Sequence, residues 1–200
     1  MTDPIAFYFD YSSPYGYFAA MKIDDLAAKF GRTVDWKPVL LGAVFKVTGG
    51  KPLPTLPLKG DYSMLDIPRS ARFHGLQYKH PTKFPIASQA PARAFYWLNE
   101  RDPALARKLA RTLYQAYFAS DLDISSPEIT ADVAATLGLP RDEVLAALGN
   151  EAVKEKLKRE VDAAIAHGVF GSPYIVVDGE PFWGVDRFDQ IERRLAGGQF

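Results

Sequence analysis

The 200-residue chain contains no cysteine. That excludes disulfide scaffolds, thiolate metal sites and protein-borne dithiol redox chemistry, whatever the fold. Histidine is scarce too: His74, His80 and His167 show no metal-ligand spacing such as HExxH and read as surface or capping residues. Neither sign of charge is in excess, with 24 Lys plus Arg against 24 Asp plus Glu and no long basic run. The broad positive footprint of a nucleic-acid binder is therefore missing. No apolar stretch approaches the roughly 20 residues that span a bilayer. The opening MTDPIAFYFDYSSP carries an acid where a secretory signal would carry positive charge. These absences lead to the expectation of a cytoplasmic protein without a nucleic-acid, membrane or metal partner.

What is present can build a sizeable core: 48% of the residues are hydrophobic, with 13 Phe, 10 Tyr and 3 Trp. Two hundred residues suit one domain, or one domain with a large insertion. Ile5–Asp10 reads as a buried strand. Ser13 fits an N-cap and Pro14 the first helical position, where the missing N–H would go unbonded anyway. Phe18, Ile23, Leu26, Ala27 and Phe30 continue one helix to a stop at Gly31, and Thr33–Val39 follows as a second strand. A strand–helix–strand of this length predicts two parallel strands.

From Leu40 to Leu58 the chain reads as loop, because TGGKPLPTLPLKG is rich in glycine and proline. A helical middle follows, with helices expected over Asp61–His74, Ser88–Asn99, Pro103–Ala119, Pro127–Leu137, Arg141–Leu148 and Glu151–His167. Leu105, Leu109 and Leu113, and then Val153, Leu157, Val161 and Ile165, mark buried stripes. The pattern then reverts. SPYIVVDGEPFWGV is two apolar runs joined through Asp178–Gly179, a hairpin signal, and DRFDQIERRL closes as an amphipathic helix. The order predicts an α/β thioredoxin-like fold (βαβ, then ββα), with residues 1–60 and 168–200 forming the thioredoxin-like domain and 61–167 a helical insertion.

The chemistry concentrates at FDYSSPYGY. By itself Ser13 reads as a plain helix cap, worth about 1 kcal/mol. A triad serine is the poorer alternative, since there is no G-x-S-x-G elbow and no histidine assigned by the pattern. A third use follows from helix electrostatics: a helix N-terminus favours an incoming anion. An unperturbed thiol, with pKa about 8.5, is only a few per cent thiolate at pH 7. Bringing that value to about 6.5 takes ~2.7 kcal/mol of preference for the anion. A serine at this position can thus stabilise a sulfur that another molecule supplies.

Tyr8-Phe9-Asp10-Tyr11-Ser12-Ser13-Pro14-Tyr15 resembles the active-site turn of 2-hydroxychromene-2-carboxylate isomerases and kappa-class glutathione transferases, both on the DsbA-like branch of the thioredoxin fold. The resemblance continues through Lys59-x-x-Tyr62-x-x-x-Asp66-x-x-Arg69-x-Ala71, Gly75-Leu76 and Phe84-Pro85-Ile86. It ends with Phe170-Gly171-Ser172-Pro173 and Trp183-Gly184-Val185-Asp186-Arg187-Phe188, so it covers nearly the whole chain.

The resemblance implies glutathione as cofactor, with Ser13 contacting its sulfur and Pro14 and Tyr15 beside it. It implies a cis Ser172–Pro173 turn that pairs with the tripeptide like an added strand. Val185 and Asp186, with Arg187 next to them, would hold the γ-glutamyl end; the residue-level alternative for Asp186 is an N-cap of the last helix. Lys46 and Lys59 fall in or beside a segment that closes over cofactor and substrate. Taken singly, each of these lysines, and Arg69 and Arg72, reads as a solvated charge rather than as a ligand contact. One position departs: Gly50 stands where kappa-class transferases carry an asparagine that contacts glutathione.

The implied activity is interconversion of 2-hydroxychromene-2-carboxylate and trans-o-hydroxybenzylidenepyruvate by reversible thiolate addition, part of aromatic hydrocarbon catabolism. The aromatic substrate wants an apolar wall, for which Tyr15, Phe45, Phe84, Tyr174 and Trp183 are candidates, and a cation for its carboxylate, Lys46 first and Lys59 second. Two alternatives stand beside it: a kappa-like transferase or peroxidase, and a non-catalytic peptide-binding module. The resemblance also implies a homodimer.

Overall fold

The computed structural model describes residues 3–198. Strand β1 (Ile5–Phe9) lies parallel to β2 (Val34–Pro38), with Phe7 opposite Trp36, and antiparallel to β3 (Tyr174–Val177), which pairs with β4 (Glu180–Trp183). The resulting mixed sheet has the order β2-β1-β3-β4. The β3–β4 turn carries positive φ at both Asp178 (50°) and Gly179 (83°), the pattern whose twist matches the flanking strands.

Alternation along β1 divides the sheet's two faces. Phe7 and Phe9 are fully buried with Trp36, Ile175 and Phe182 in the main core, whereas Tyr8 and Tyr174 join Val39, Ala164 and Val169 in a second cluster. The main core continues without a break into the helices between β2 and β3. These are α4 (Lys59–Phe73), α5 (Gln89–Asn99), α6 (Pro103–Phe118), α7 (Pro127–Ala135), α8 (Arg141–Gly149) and α9 (Glu151–Ala166). All six lie within two residues of the bounds that sequence periodicity predicts. Side-chain caps explain three of the starts: Asp102 accepts from Leu105 N–H, Ser126 from Ile129 N–H, and Asn150 from Ala152 N–H. His167 closes α9, its ring against the Ala163 carbonyl at 2.7 Å. Among the described residues no helix is long and apolar enough to cross a membrane.

Two expectations need correction. The first helix is two, α1 (Pro14–Ala20) and α2 (Ile23–Lys29), parted at Met21–Lys22. The bend lets α2 bury Ile23, Leu26 and Ala27 while Asp24 meets both the Trp36 indole N–H (3.0 Å) and Arg111. The stretch expected as loop contains a helix, α3 (Leu41–Thr48), and a short 3-10 turn at Leu53–Thr55. The cap of α3 is not local: Leu41 N–H donates to the Asp10 carboxylate at 2.6 Å. After β4, a 3-10 turn (Val185–Arg187) leads into α10 (Phe188–Leu195).

Candidate active site

The C-terminal end of β1, the first turn of α1 and the N-terminal end of β3 meet around Ser13. Its hydroxyl accepts from Gly16 N–H (3.0 Å), as an N-cap should, and donates to the Ser172 carbonyl (2.9 Å). The Ser172–Pro173 peptide bond is cis, as the resemblance implies. Asp10 ties the two turns together: its N–H donates to the Ser172 hydroxyl (2.9 Å), and its carbonyl accepts from Ser13 N–H (2.9 Å) and the Tyr114 hydroxyl (2.8 Å). Ser13 is 6% exposed and Ser172 9%, so little of either residue meets solvent.

The donors of α1's first turn can be followed one by one. Pro14 has none, Gly16 N–H goes to the Ser13 hydroxyl, and Tyr17 N–H to the Ser13 carbonyl (3.0 Å). Tyr15 N–H has no partner among the described residues, and neither has Ser172 N–H. An anion beside Ser13 would therefore meet one free helix donor and, if the hydroxyl turns from the Ser172 carbonyl, a second. That carbonyl and N–H would then be open to a peptide laid alongside as an extra strand. The donor set fits an anion with an extended peptide beside it.

Tyr15 is half-buried, and its hydroxyl is committed to Asp66 on α4 (2.6 Å). Burial and then the Asp66 hydrogen bond hold the Tyr15 phenol well above its ordinary pKa. Partial burial pushes Asp66 up, but hydrogen bonds from Tyr15 and Arg69 (2.6 Å) outweigh it and hold this carboxyl below the usual range. Arg69 is thereby paired; Lys46 and Lys59 are exposed and unpaired among the described residues. Lys46 lies in the last turn of α3, where a cation suits the helix dipole. Lys59 opens α4, at the end that disfavours one, so its position has no such local explanation.

The remaining sequence-predicted residues are placed unevenly. Val185 is 6% exposed and packs in the main core, so only its backbone can meet a ligand. Asp186 and Arg187 are exposed and 3.5 Å apart. Asp186 is not a cap: α10 starts after Arg187 without a side-chain cap bond. Trp183 is exposed, edge-on to Phe170 at 4.9 Å between ring centroids. Tyr174 is buried in the second cluster. Phe84 is half-buried and precedes a second cis bond, to Pro85; Ile86 N–H then donates to the Ser12 hydroxyl (3.0 Å), which brings this loop to the Ser13 turn. At Gly50 a side chain would collide with Phe45, since an added Cβ would lie 2.6 Å from the ring, so Phe45 fills the space beside the departing position. A cleft of about 360 Å³ between α3, α5 and α9 shares no lining residue with this group.

Sequence reasoning missed Asp10, Gly16, Ser12 and Tyr114. Tyr114 falls on the buried face of α6 that the leucine stripe marks, but nothing local says that its hydroxyl reaches Asp10.

Comparison with known proteins places the whole chain among relatives of this fold. The chain is 28% identical to a 2-hydroxychromene-2-carboxylate isomerase of Sphingobium xenophagum, over 98% of this chain and 99% of that one. It is also 28% identical to glutathione s-transferase kappa 2 of Caenorhabditis elegans, over 96% and 91%. A solved 2-hydroxychromene-2-carboxylate isomerase structure superposes with a TM-score of 0.88 at 26% identity, covering 98% of this chain and 95% of that one. The family model for the DSBA-like thioredoxin domain matches residues 4–196, and the chain belongs to that family.

Proposed function

We propose that this protein is a glutathione-dependent isomerase of the 2-hydroxychromene-2-carboxylate type. One observation carries the reading: a cysteine-free chain brings a serine hydroxyl, a free helix N–H and a cis-proline turn with a free Ser172 N–H to one point. Glutathione would supply the thiolate that adds reversibly to a conjugated double bond and is returned after rotation. Ser13 and Tyr15 N–H stabilise negative charge on sulfur; Ser172 N–H and carbonyl orient the peptide; Asp186 and Arg187 offer charges to its ends. Lys59 and Lys46 attract the substrate carboxylate, and Phe84 and Trp183 give apolar surface for its ring.

Added glutathione is expected to raise the melting temperature, with ~2.7 kcal/mol of stabilisation at about 100 times the dissociation constant. No shift at several millimolar would sink the cofactor assignment. A kappa-type transferase is the second reading, supported by the equal 28% identity to a kappa relative. Glutathione assayed after many turnovers separates the two, because a transferase consumes it in step with substrate. Under saturation the isomerisation rate should rise with pH through a value below the roughly 8.5 of a free thiol, since the active form is the anion. An inflection at or above 8.5 would contradict activation at α1.

A homodimer belongs to the same proposal. Leu58, Tyr62, Leu65 and Phe73 leave an apolar strip exposed at and along α4. Light scattering should give twice the chain mass; a monomer at micromolar concentration would remove this part of the reading.

A further inference from the structure

Asp10 sits one residue beyond β1 and is 2% exposed, yet nothing in the proposed chemistry uses its carboxylate. Oδ1 accepts Ser12 N–H (2.7 Å), Oδ2 accepts Leu41 N–H (2.6 Å), and the Ser88 hydroxyl is a third donor. No cation pairs with it among the described residues. The ionisable groups around it are the phenols of Tyr11, Tyr114 and Tyr117, all shifted above their ordinary pKa chiefly by burial. A buried carboxylate is costly unless such donors meet it, so its two short bonds fix one arrangement of the segments that supply them.

One of those segments is otherwise weakly held. Within residues 41–60 only Val44 and Gly60 are buried. The same stretch contains Lys46, Lys51 and Lys59, and residues 36–60 hold no acid. A positively charged strap is thus moored at its start to the carboxylate that also orders the turn containing Ser13.

We propose that Asp10 is a positioning residue that holds the lysine-bearing strap in register with the Ser13 turn. Its consequence for turnover rests on the functional reading above; its consequence for the strap does not. Two variants break the tie from opposite sides. Asp10→Asn keeps the shape but has one acceptor oxygen for two N–H groups. Leu41→Pro removes the donor and leaves the Asp10 carboxylate in place: proline suits the first helical position, and Leu40 is already extended (φ −112°, ψ 102°), as a residue before proline prefers.

In the ligand-free protein, amide hydrogen exchange over residues 42–60 should speed up roughly tenfold or more in both variants. With substrate, KM of Leu41→Pro should rise about five- to tenfold while kcat stays within about twofold and the pH inflection does not move, because the Asp10 bond to Ser12 N–H is kept. If Asp10→Asn fails to fold, Leu41→Pro decides alone. Unchanged exchange in Leu41→Pro overturns the proposal, and a fall in kcat at constant KM overturns its catalytic half. Exchange needs no glutathione, so loss of the functional reading and loss of this one are told apart.

Discussion

Ser13→Ala is expected to lower turnover by about one to three orders of magnitude, the range for removing one preorganised donor to a developing or resident anion. The hydroxyl holds two bonds, so the substitution is also felt in the ligand-free fold. Gly16 N–H loses its cap, worth about 1 kcal/mol. The Ser172 carbonyl, in a residue only 9% exposed, loses its donor, at a cost of about 1–3 kcal/mol if nothing replaces it. A tripeptide N–H can replace it, so bound glutathione should restore part of the lost stability. The thiolate, followed by its ultraviolet absorbance without substrate, should titrate nearer the free value of about 8.5. Ser13→Cys gives the complementary result: its thiolate attacks glutathione disulfide, releasing one glutathione and keeping the other as a mixed disulfide visible by mass. Full activity in Ser13→Ala would leave the residue as a cap and nothing more.

Much of this arrangement was legible because it is encoded locally. The Ser13–Pro14, Asp102–Pro103 and Ser126–Pro127 starts, the period of the leucine stripes and the Asp178–Gly179 turn each depend on neighbours in the chain. The helix α3 failed that test. Its start has no side-chain cap of its own, and the Asp10 carboxylate that replaces one lies 31 residues earlier. Glycine and proline after Thr48 hid the apolar run before it, LLGAVFKVT. Likewise, nothing in SPYGYFAAMKIDDLAAKF marks the break at Met21–Lys22, because Trp36 and Arg111 are the partners that re-aim α2. The site shows the same division. Ser13 and Pro14 could be named from a local cap motif and the Ser172–Pro173 turn from the family resemblance, whereas Asp10, Ser12 and Tyr114 act through contacts across 74 to 162 positions of sequence separation. Val185 shows the converse: its motif lies beside the cis-proline turn, where Gly184 N–H donates to the Pro173 carbonyl, while its side chain serves the core.

Gly16→Ala should destabilise the protein although helix propensity argues the opposite. Inside α1, alanine ought to gain about 1 kcal/mol over glycine. The added Cβ, however, would lie 2.7 Å from the Ser172 hydroxyl and 2.7 Å from the Tyr114 hydroxyl, with the Ser13 Cβ at 3.2 Å. Neither hydroxyl is free to retreat, since both are bonded to the Asp10 backbone in a buried position. Overpacking of this kind costs about 1–3 kcal/mol, enough to reverse the propensity gain. The motion that relieves it pushes α1 away from the cis-proline turn, which separates Ser13 from Ser172. The expected result is a lower denaturant midpoint together with loss of most of the glutathione-induced thermal shift. Tyr114→Phe supplies the control. Alone it removes a hydrogen bond and should cost about 1 kcal/mol; combined with Gly16→Ala it also removes one of the two obstructing oxygens. The double variant should therefore be more stable than the sum of the single losses predicts, by about 0.5 kcal/mol or more. Strict additivity, or a Gly16→Ala protein that is more stable and still binds glutathione, would mean that this close approach does not hold the site together.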